Sequence, residues 1–140
     1  MHYSKKLLTL FVAFAFCSVF IPGCSKSSDS QAIKTTYTHV DVQEAKELID
    51  KDGSVLIDVR ISGAYRYSHI PGAINLPIDD GIEAYTKQLK NKDQIIILYC
   101  DYGGVSKQAA ELLAEKGYTN IYEFDGLEVW DGELEGESVD

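Results

Sequence analysis

The chain has 140 residues, and its 22 acidic and 13 basic side chains give a formal net charge of −9 at pH 7. So acidic a chain, without a basic patch or interleaved aromatic residues, argues against nucleic-acid binding. Once an apolar leader is set aside, the remaining length allows one modest domain.

The first 23 residues are predicted to be a targeting segment that takes no part in the fold. A short basic region precedes an apolar run over 7–21, which is shorter than the about 20 residues of a spanning helix. The run ends at Pro22-Gly23-Cys24, which resembles the cleavage box of bacterial lipoprotein signal peptides. The resemblance implies that Cys24 is lipidated and holds the protein to a membrane, on its periplasmic or outer face. A plain secretory signal and an uncleaved anchor are the alternatives.

Residues 24–35 include a polar, Ser-rich stretch that is predicted to be a flexible tether. Residues 36–136 then form the one predicted domain, and we expect it to be a monomer. Lipidation of Cys24 leaves Cys100 without an intrachain partner in a compartment that favours disulfides. Cys100 must therefore be buried, shielded or used.

Apolar runs alternate with helical patterns along the predicted domain, which indicates an α/β fold with a mostly parallel sheet. Asp41 and Glu44 form a capping-box pattern at the start of the first helix, and Gly117 is placed to end the last. The tail from Glu133 is predicted to fray. The predicted strands are 37–40, 54–59, 73–76, 95–99 and 121–124, and the predicted helices are 42–51, 62–67, 83–90 and 106–116. The last helix is predicted to pack Ala109, Ala110, Leu112, Leu113 and Ala114 inward.

Cys100 follows the clearest strand and begins the loop Asp101-Tyr102-Gly103-Gly104-Val105, after which a helix is predicted to start at Ser106. The two glycines allow a sharp turn and a close backbone approach. Successive loop N–H groups are expected to form a nest around the sulfur, and the helix adds roughly half a positive charge. Such surroundings favour a thiolate or a bound anion. The alternative is a buried structural cysteine. It is disfavoured because a cysteine at the carboxyl end of a strand is expected to face a surface crevice and not the core.

Two groups of motifs resemble the rhodanese family. The first is Val55-Leu56-Ile57-Asp58-Val59-Arg60 with His69-Ile70-Pro71-Gly72-Ala73, and the second is the 99–106 loop segment with Gly117-Tyr118. The likeness covers about residues 37–134. It implies a five-stranded parallel sheet flanked by helices. It also implies a loop cysteine that carries a persulfide sulfur from a donor such as thiosulfate to a thiol or cyanide, with no metal or organic cofactor.

This resemblance assigns roles to individual residues. Cys100 matches the sulfur-carrying nucleophile, Gly103 the loop glycine and Ser106 the residue that opens the following helix. Asp58 and Arg60 match an acid and a base that are mostly structural in the family. Residues 101–106 together match the substrate-binding loop.

The loop departs from the family pattern at two positions. The family commonly carries arginine where this chain has Asp101 and Val105, so the guanidinium fork that suits an oxyanion is missing. Asp101 would oppose thiolate formation if it faced inward. Arg60, Arg66 and Lys107 are the candidate replacement cations. We therefore predict weak use of thiosulfate and better use of neutral or protein-borne persulfide donors.

Two other functions compete with the enzyme. The lost arginines favour a catalytically impaired rhodanese-fold module that binds a partner, whereas the intact Cys100 favours sulfur transfer. A lone thiolate in an oxidising compartment could also serve as a thiol redox sensor. A cysteine phosphatase is excluded, because it needs arginine six places after the cysteine and Ser106 stands there.

Overall fold

The computed structural model describes residues 36–137, so the predicted leader, tether and lipidation site at Cys24 lie outside the described residues. Within this range the chain forms five strands and four α-helices, which confirms the α/β prediction. No helix of residues 36–137 is long and apolar enough to cross a bilayer. The elements are β1 (Thr38–His39), α1 (Val42–Ile49), β2 (Val55–Asp58), α2 (Ser62–Tyr67), β3 (Ile74–Asn75), α3 (Ile82–Gln88), β4 (Ile96–Tyr99), α4 (Gly104–Glu115) and β5 (Ile121–Glu123).

All strand pairs are parallel, and the strand order is β1-β5-β4-β2-β3. The chain leaves β2 toward β3 but leaves β4 toward β5, so two neighbouring strands send their connections in opposite directions. In open α/β sheets, ligands bind in the crevice at the carboxyl ends of such a strand pair. The topology therefore places a crevice next to Cys100, which directly follows β4.

The central strand β4 is buried along its whole length, which suits a parallel strand covered on both faces. Because side chains alternate along a strand, Ile96, Leu98 and Cys100 face one core layer while Ile97 and Tyr99 face the other. The first layer includes residues of α3 and α4, and the second includes residues of α1. The sulfur of Cys100 thus lies on the α4 side of the sheet.

The helix ends show where local sequence signals succeed and fail. Asp41 Oδ1 accepts hydrogen bonds at 2.9 Å from the backbone N–H groups of Gln43 and Glu44, as its N-cap position predicts. The prediction that α4 starts at Ser106 is wrong, because Gly103 in the left-handed region serves as the N-cap and the helix begins at Gly104. Ser106 therefore lies inside the first turn, and its hydroxyl is free for other partners.

Two smaller predictions are also wrong. Leu112 is 38% exposed, because the buried stripe of α4 runs through Ala109, Ala110 and Leu113 and leaves Leu112 beside it. The tail does not fray at Glu133, since Glu135 forms an antiparallel bridge with His69. Two backbone hydrogen bonds of 2.7 and 2.9 Å hold that bridge.

Candidate active site

Cys100 is buried, with 3% of its surface exposed, and it is the only cysteine in the described range. The backbone N–H of Gly103 donates a hydrogen bond to Sγ at 3.1 Å. Among residues 36–137 this is the one backbone donor to the sulfur, so the nest is smaller than the loop sequence predicts. The geometry requires glycine, because φ at Gly103 is +80° and a Cβ there would lie 2.7 Å from Asp125 Oδ1.

The segment after β5 holds the Cys100 loop in place. The N–H of Leu127 donates to the carbonyl of Cys100, and the N–H of Glu128 donates to that of Asp101, both at 3.0 Å. A Cβ on Gly126 would lie 1.9 Å from the Cys100 carbonyl oxygen, so the two backbones touch directly. The sequence analysis missed this contact, although a glycine a few residues beyond the end of a strand can mark a close backbone approach.

A cleft of about 210 Å³ opens beside the sulfur. Its walls are formed by Arg60, Cys100, Asp101, Tyr102, Gly104 and Val105. Tyr102 and Val105 are exposed by 74% and 37%, so apolar groups form much of the rim. An adjoining groove shares Arg60, Asp101 and Val105 with the cleft and adds apolar side chains, among them Ile61 and Ile78.

Arg60 reaches the cleft, but carboxylates occupy its guanidinium. Its Nε and NH2 groups bond to Asp58 over 2.7–3.1 Å, and NH1 bonds to Asp101 Oδ1 at 2.9 Å. NH2 also donates to the carbonyl of Ser68. Burial lowers the pKa of Arg60, but the hydrogen bonds and charge of Asp58, and then those of Asp101, leave that pKa above its ordinary value. The cleft therefore holds one cation already paired with two carboxylates.

The other two candidate cations do not join Arg60. Lys107 Nζ lies 3.6 Å from Asp125 Oδ1, and Arg66 lines a separate surface cavity beside Glu135. Neither residue lines the sulfur cleft. Among residues 36–137, no group of three or more His, Cys, Asp or Glu side chains is placed to hold a metal ion.

A chain of buried polar groups lies behind the sulfur. Ser106 Oγ lies 3.7 Å from Cys100 Sγ and donates toward Glu123 Oε2 at 3.3 Å. Glu123 Oε1 is 2.6 Å from Nδ1 of His39 on the neighbouring strand. Ser106 and Glu123 are fully buried. Sequence reasoning missed Glu123 as a site residue, although strand alternation places it on the same face as the buried Ile121.

Comparison with known proteins agrees with this geometry. The family model described as rhodanese-like domain matches residues 41–132. A thiosulfate sulfurtransferase, GlpE of Pseudoalteromonas translucida, is 34% identical over 90 residues, which are 64% of this chain and 84% of that protein. The thiosulfate sulfurtransferase PspE of Escherichia coli K12 is 38% identical over 71 residues, 51% of this chain and 68% of that protein.

Solved structures give the same result. A structure described as rhodanese with anions from E. coli superposes with a TM-score of 0.56 at 32% identity, covering 60% of this chain and 99% of that one. The BH2092 protein of Bacillus halodurans superposes with a TM-score of 0.63 at 32% identity, covering 71% of this chain and 77% of that one. Because the family model matches well over half of the chain and the fold agrees, this chain belongs to the rhodanese-like domain family.

Proposed function

We propose that this protein is a sulfurtransferase that carries sulfane sulfur as a persulfide on Cys100. The Cys100 thiolate attacks the outer sulfur of a donor, the donor's sulfur–sulfur bond breaks, and its electron pair leaves with the remainder of the donor. An acceptor thiolate or cyanide then takes the outer sulfur and restores the Cys100 thiolate. The observation that carries this proposal is the position of Cys100, the one cysteine of residues 36–137. It follows β4, next to the point where the connections from β2 and β4 diverge, and its Sγ lies 3.1 Å from the backbone nitrogen of Gly103.

We propose further that thiosulfate is a poor donor. Its two negative charges need cationic partners, but the guanidinium of Arg60 is occupied by Asp58 and Asp101. Asp101 also stands at the cleft with a half-exposed carboxylate, and the chain carries a net charge of −9. Like charges slow the approach of a dianion. The apolar rim of Tyr102 and Val105 suits a neutral or protein-borne persulfide donor.

Mass spectrometry after donor treatment tests sulfur carriage. The intact domain should gain the mass of one sulfur atom after incubation with an alkyl persulfide, which leaves as the thiolate, and the Cys100→Ser variant should not. No adduct with any donor would overturn the enzyme proposal and favour the partner-binding module instead. That module is a real competitor because the paired Arg60 leaves the cleft without a free cation among the described residues.

Steady-state rates with two donor types test the donor preference. We expect kcat/KM for thiosulfate to be at least about tenfold below that for an alkyl persulfide, since tenfold corresponds to about 1.4 kcal/mol of unfavourable interaction. Equal or better use of thiosulfate would overturn the preference while leaving sulfur carriage intact.

We also propose that Cys24 anchors a monomeric protein to a membrane of the cell envelope through a lipid. The support is the sequence pattern of the leader alone. Metabolic labelling of the full chain with a fatty-acid analogue should mark the protein, and Cys24→Ser should abolish the label. A labelled Cys24→Ser variant would contradict the assignment.

Light scattering of the soluble domain should give the mass of one chain.

A further inference from the structure

The Ser106–Glu123–His39 chain takes no part in the donor cleft, yet it runs from the nucleophile to the surface. Glu123 is a fully buried carboxylate, and a buried charge is strongly destabilising unless a partner compensates it. Its partners are Ser106 Oγ at 3.3 Å and His39 Nδ1 at 2.6 Å. His39 is 49% exposed on its side chain, so it exchanges protons with solvent. The charge of the buried pair therefore depends on the protonation of one surface histidine.

Ser106 links this pair to the sulfur. Its hydroxyl has one proton and three acceptors within reach: the Gly103 carbonyl at 3.0 Å, Glu123 Oε2 at 3.3 Å and Cys100 Sγ at 3.7 Å. The thiol can donate to Ser106 Oγ while Ser106 donates to Glu123, which makes a continuous path for a proton. An opposite or like charge close to a buried group strongly biases its ionisation.

We propose that Glu123 is a positioning residue that holds, together with His39, the proton released by Cys100. When the thiol ionises, its proton passes to Ser106, the Ser106 proton passes to Glu123, and the pair keeps one proton as the His39 imidazolium. The charges balance: a neutral thiol and imidazole become a thiolate and an imidazolium, with the Glu123 carboxylate between them. A protonated His39 thus favours the thiolate, and a neutral His39 leaves an unbalanced buried negative charge that disfavours it.

Other charged groups near the sulfur lack this property. Across the cleft, the Asp58–Arg60–Asp101 group contains a permanently charged guanidinium. On α4, Lys107 pairs with Asp125. Among the described residues that contact Cys100 or Glu123, His39 carries the one imidazole, the side-chain type that commonly acts as a pH switch in proteins. This inference rests on the proposed sulfur carriage by Cys100, but it concerns the thiol alone and is testable without any sulfur donor.

The test is the rate of Cys100 alkylation by the neutral reagent iodoacetamide between pH 5 and 9. We expect His39→Gln to slow alkylation at pH 7 by about tenfold and to move the profile to higher pH by roughly one unit, because the Glu123 charge loses its counterion. Glu123→Gln should not slow alkylation, because it removes the buried negative charge together with the need for a counterion. The decisive result is the double variant: adding His39→Gln to Glu123→Gln should change nothing, since His39 acts only through that carboxylate.

His69→Gln is the matched control, because His69 also lies beside a carboxylate, 3.3 Å from Glu135 Oε1. It should leave the alkylation profile unchanged. An unchanged profile in His39→Gln would overturn the proposal, and so would a His39 effect that persists in the Glu123→Gln background. Neither outcome bears on the donor experiments, so failure of this inference and failure of sulfur carriage are distinguishable.

A second measurement covers the case in which Glu123→Gln folds poorly. Coupling between two sites is reciprocal, so the state of Cys100 must affect the titration of His39. In NMR titrations, Cys100→Ser should move the midpoint of His39 to lower pH, because the thiolate that stabilises the imidazolium is gone. An unmoved His39 midpoint would contradict the proposal.

Discussion

Two buried carboxylates flank Cys100, and each is paired with a different kind of basic side chain. Asp58, at the end of β2, pairs with Arg60, and Glu123, at the end of β5, pairs with His39. Both carboxylates are fully buried. The Arg60 side chain is 9% exposed and permanently charged, whereas the His39 side chain is 49% exposed and can lose its charge.

The two pairs differ in whether their charge balance is fixed, as in Asp58–Arg60, or can change, as in Glu123–His39. Asp58 accepts hydrogen bonds from the backbone N–H, the Nε and the NH2 of Arg60, so a permanently charged guanidinium compensates its charge. Glu123 accepts a hydrogen bond from the neutral Ser106 hydroxyl, and its basic partner is the His39 imidazole, which solvent can reach. Burying a second carboxylate does not in itself require a solvent-exposed histidine as its partner. We relate the Glu123–His39 pair instead to its position behind the nucleophile Cys100.

The largest expected effect tests the fixed pair. Asp58→Asn leaves the Arg60 charge in a buried site with only half-exposed Asp101 to compensate it. Removing one partner of a buried ion pair costs about 3–5 kcal/mol, so the free energy of unfolding in urea should fall by that amount. Asp101→Asn removes the exposed partner of the same arginine and should cost under about 1 kcal/mol. Similar losses in both variants would show that the buried pair is not the scaffold.

The second prediction concerns the backbone contact between Gly126 and the carbonyl of Cys100. Gly126→Ala places a methyl group against the Cys100 carbonyl and strains a φ of +78°. Gly53→Ala is the control, since its φ is +79° with nothing within 4 Å of the added carbon. Strain alone costs about 1–2 kcal/mol, and a forced shift of packed backbone adds about 1–3. Urea unfolding and sulfur loading should both be worse in Gly126→Ala, and equal losses would mean that the contact is unimportant.

The smallest effect concerns the donor. Asp101→Asn should raise kcat/KM for thiosulfate by about 3- to 10-fold, because it frees NH1 of Arg60 and removes a carboxylate from the cleft. The rate with an alkyl persulfide should change little. Asp52→Asn, in the exposed turn after α1, removes the same charge at the opposite end of the strands. If both variants gain equally, net charge and not the Asp101–Arg60 pair governs thiosulfate use.

Sequence reasoning recovered the features that depend on short stretches of chain. Each strand was placed within two residues of its bounds, because apolar β-branched runs bounded by turn residues are strong local signals. The predicted start of α4 at Ser106 is two residues late, because Gly103 in the left-handed region is the N-cap and the helix begins at Gly104. The loop cysteine beside a crevice followed from its position after a central strand.

The groups that decide the chemistry lie too far apart in sequence to be paired in advance. The Arg60–Asp101 bond joins residues 41 positions apart, and the His39–Glu123 contact joins residues 84 apart. The second contact requires β1 to lie beside β5 in one register, and a shift by one residue would turn Glu123 away from His39. Local sequence patterns therefore identify the nucleophile, Cys100, but only the three-dimensional structure shows which charged side chains surround it.

The hydrogen bonds from Leu127 and Glu128 to the Cys100 loop have a consequence for synthesis of the protein. The ribosome must release the chain through β5 and this segment before the thiol acquires its final surroundings, since β4 pairs with β5 and the loop is fastened from beyond it. A nascent or truncated chain that ends before Gly126 would contain the cysteine without the fastened loop. Maturation of the thiol is thus tied to synthesis of the chain through Glu128, and products that end earlier should not compete for sulfur.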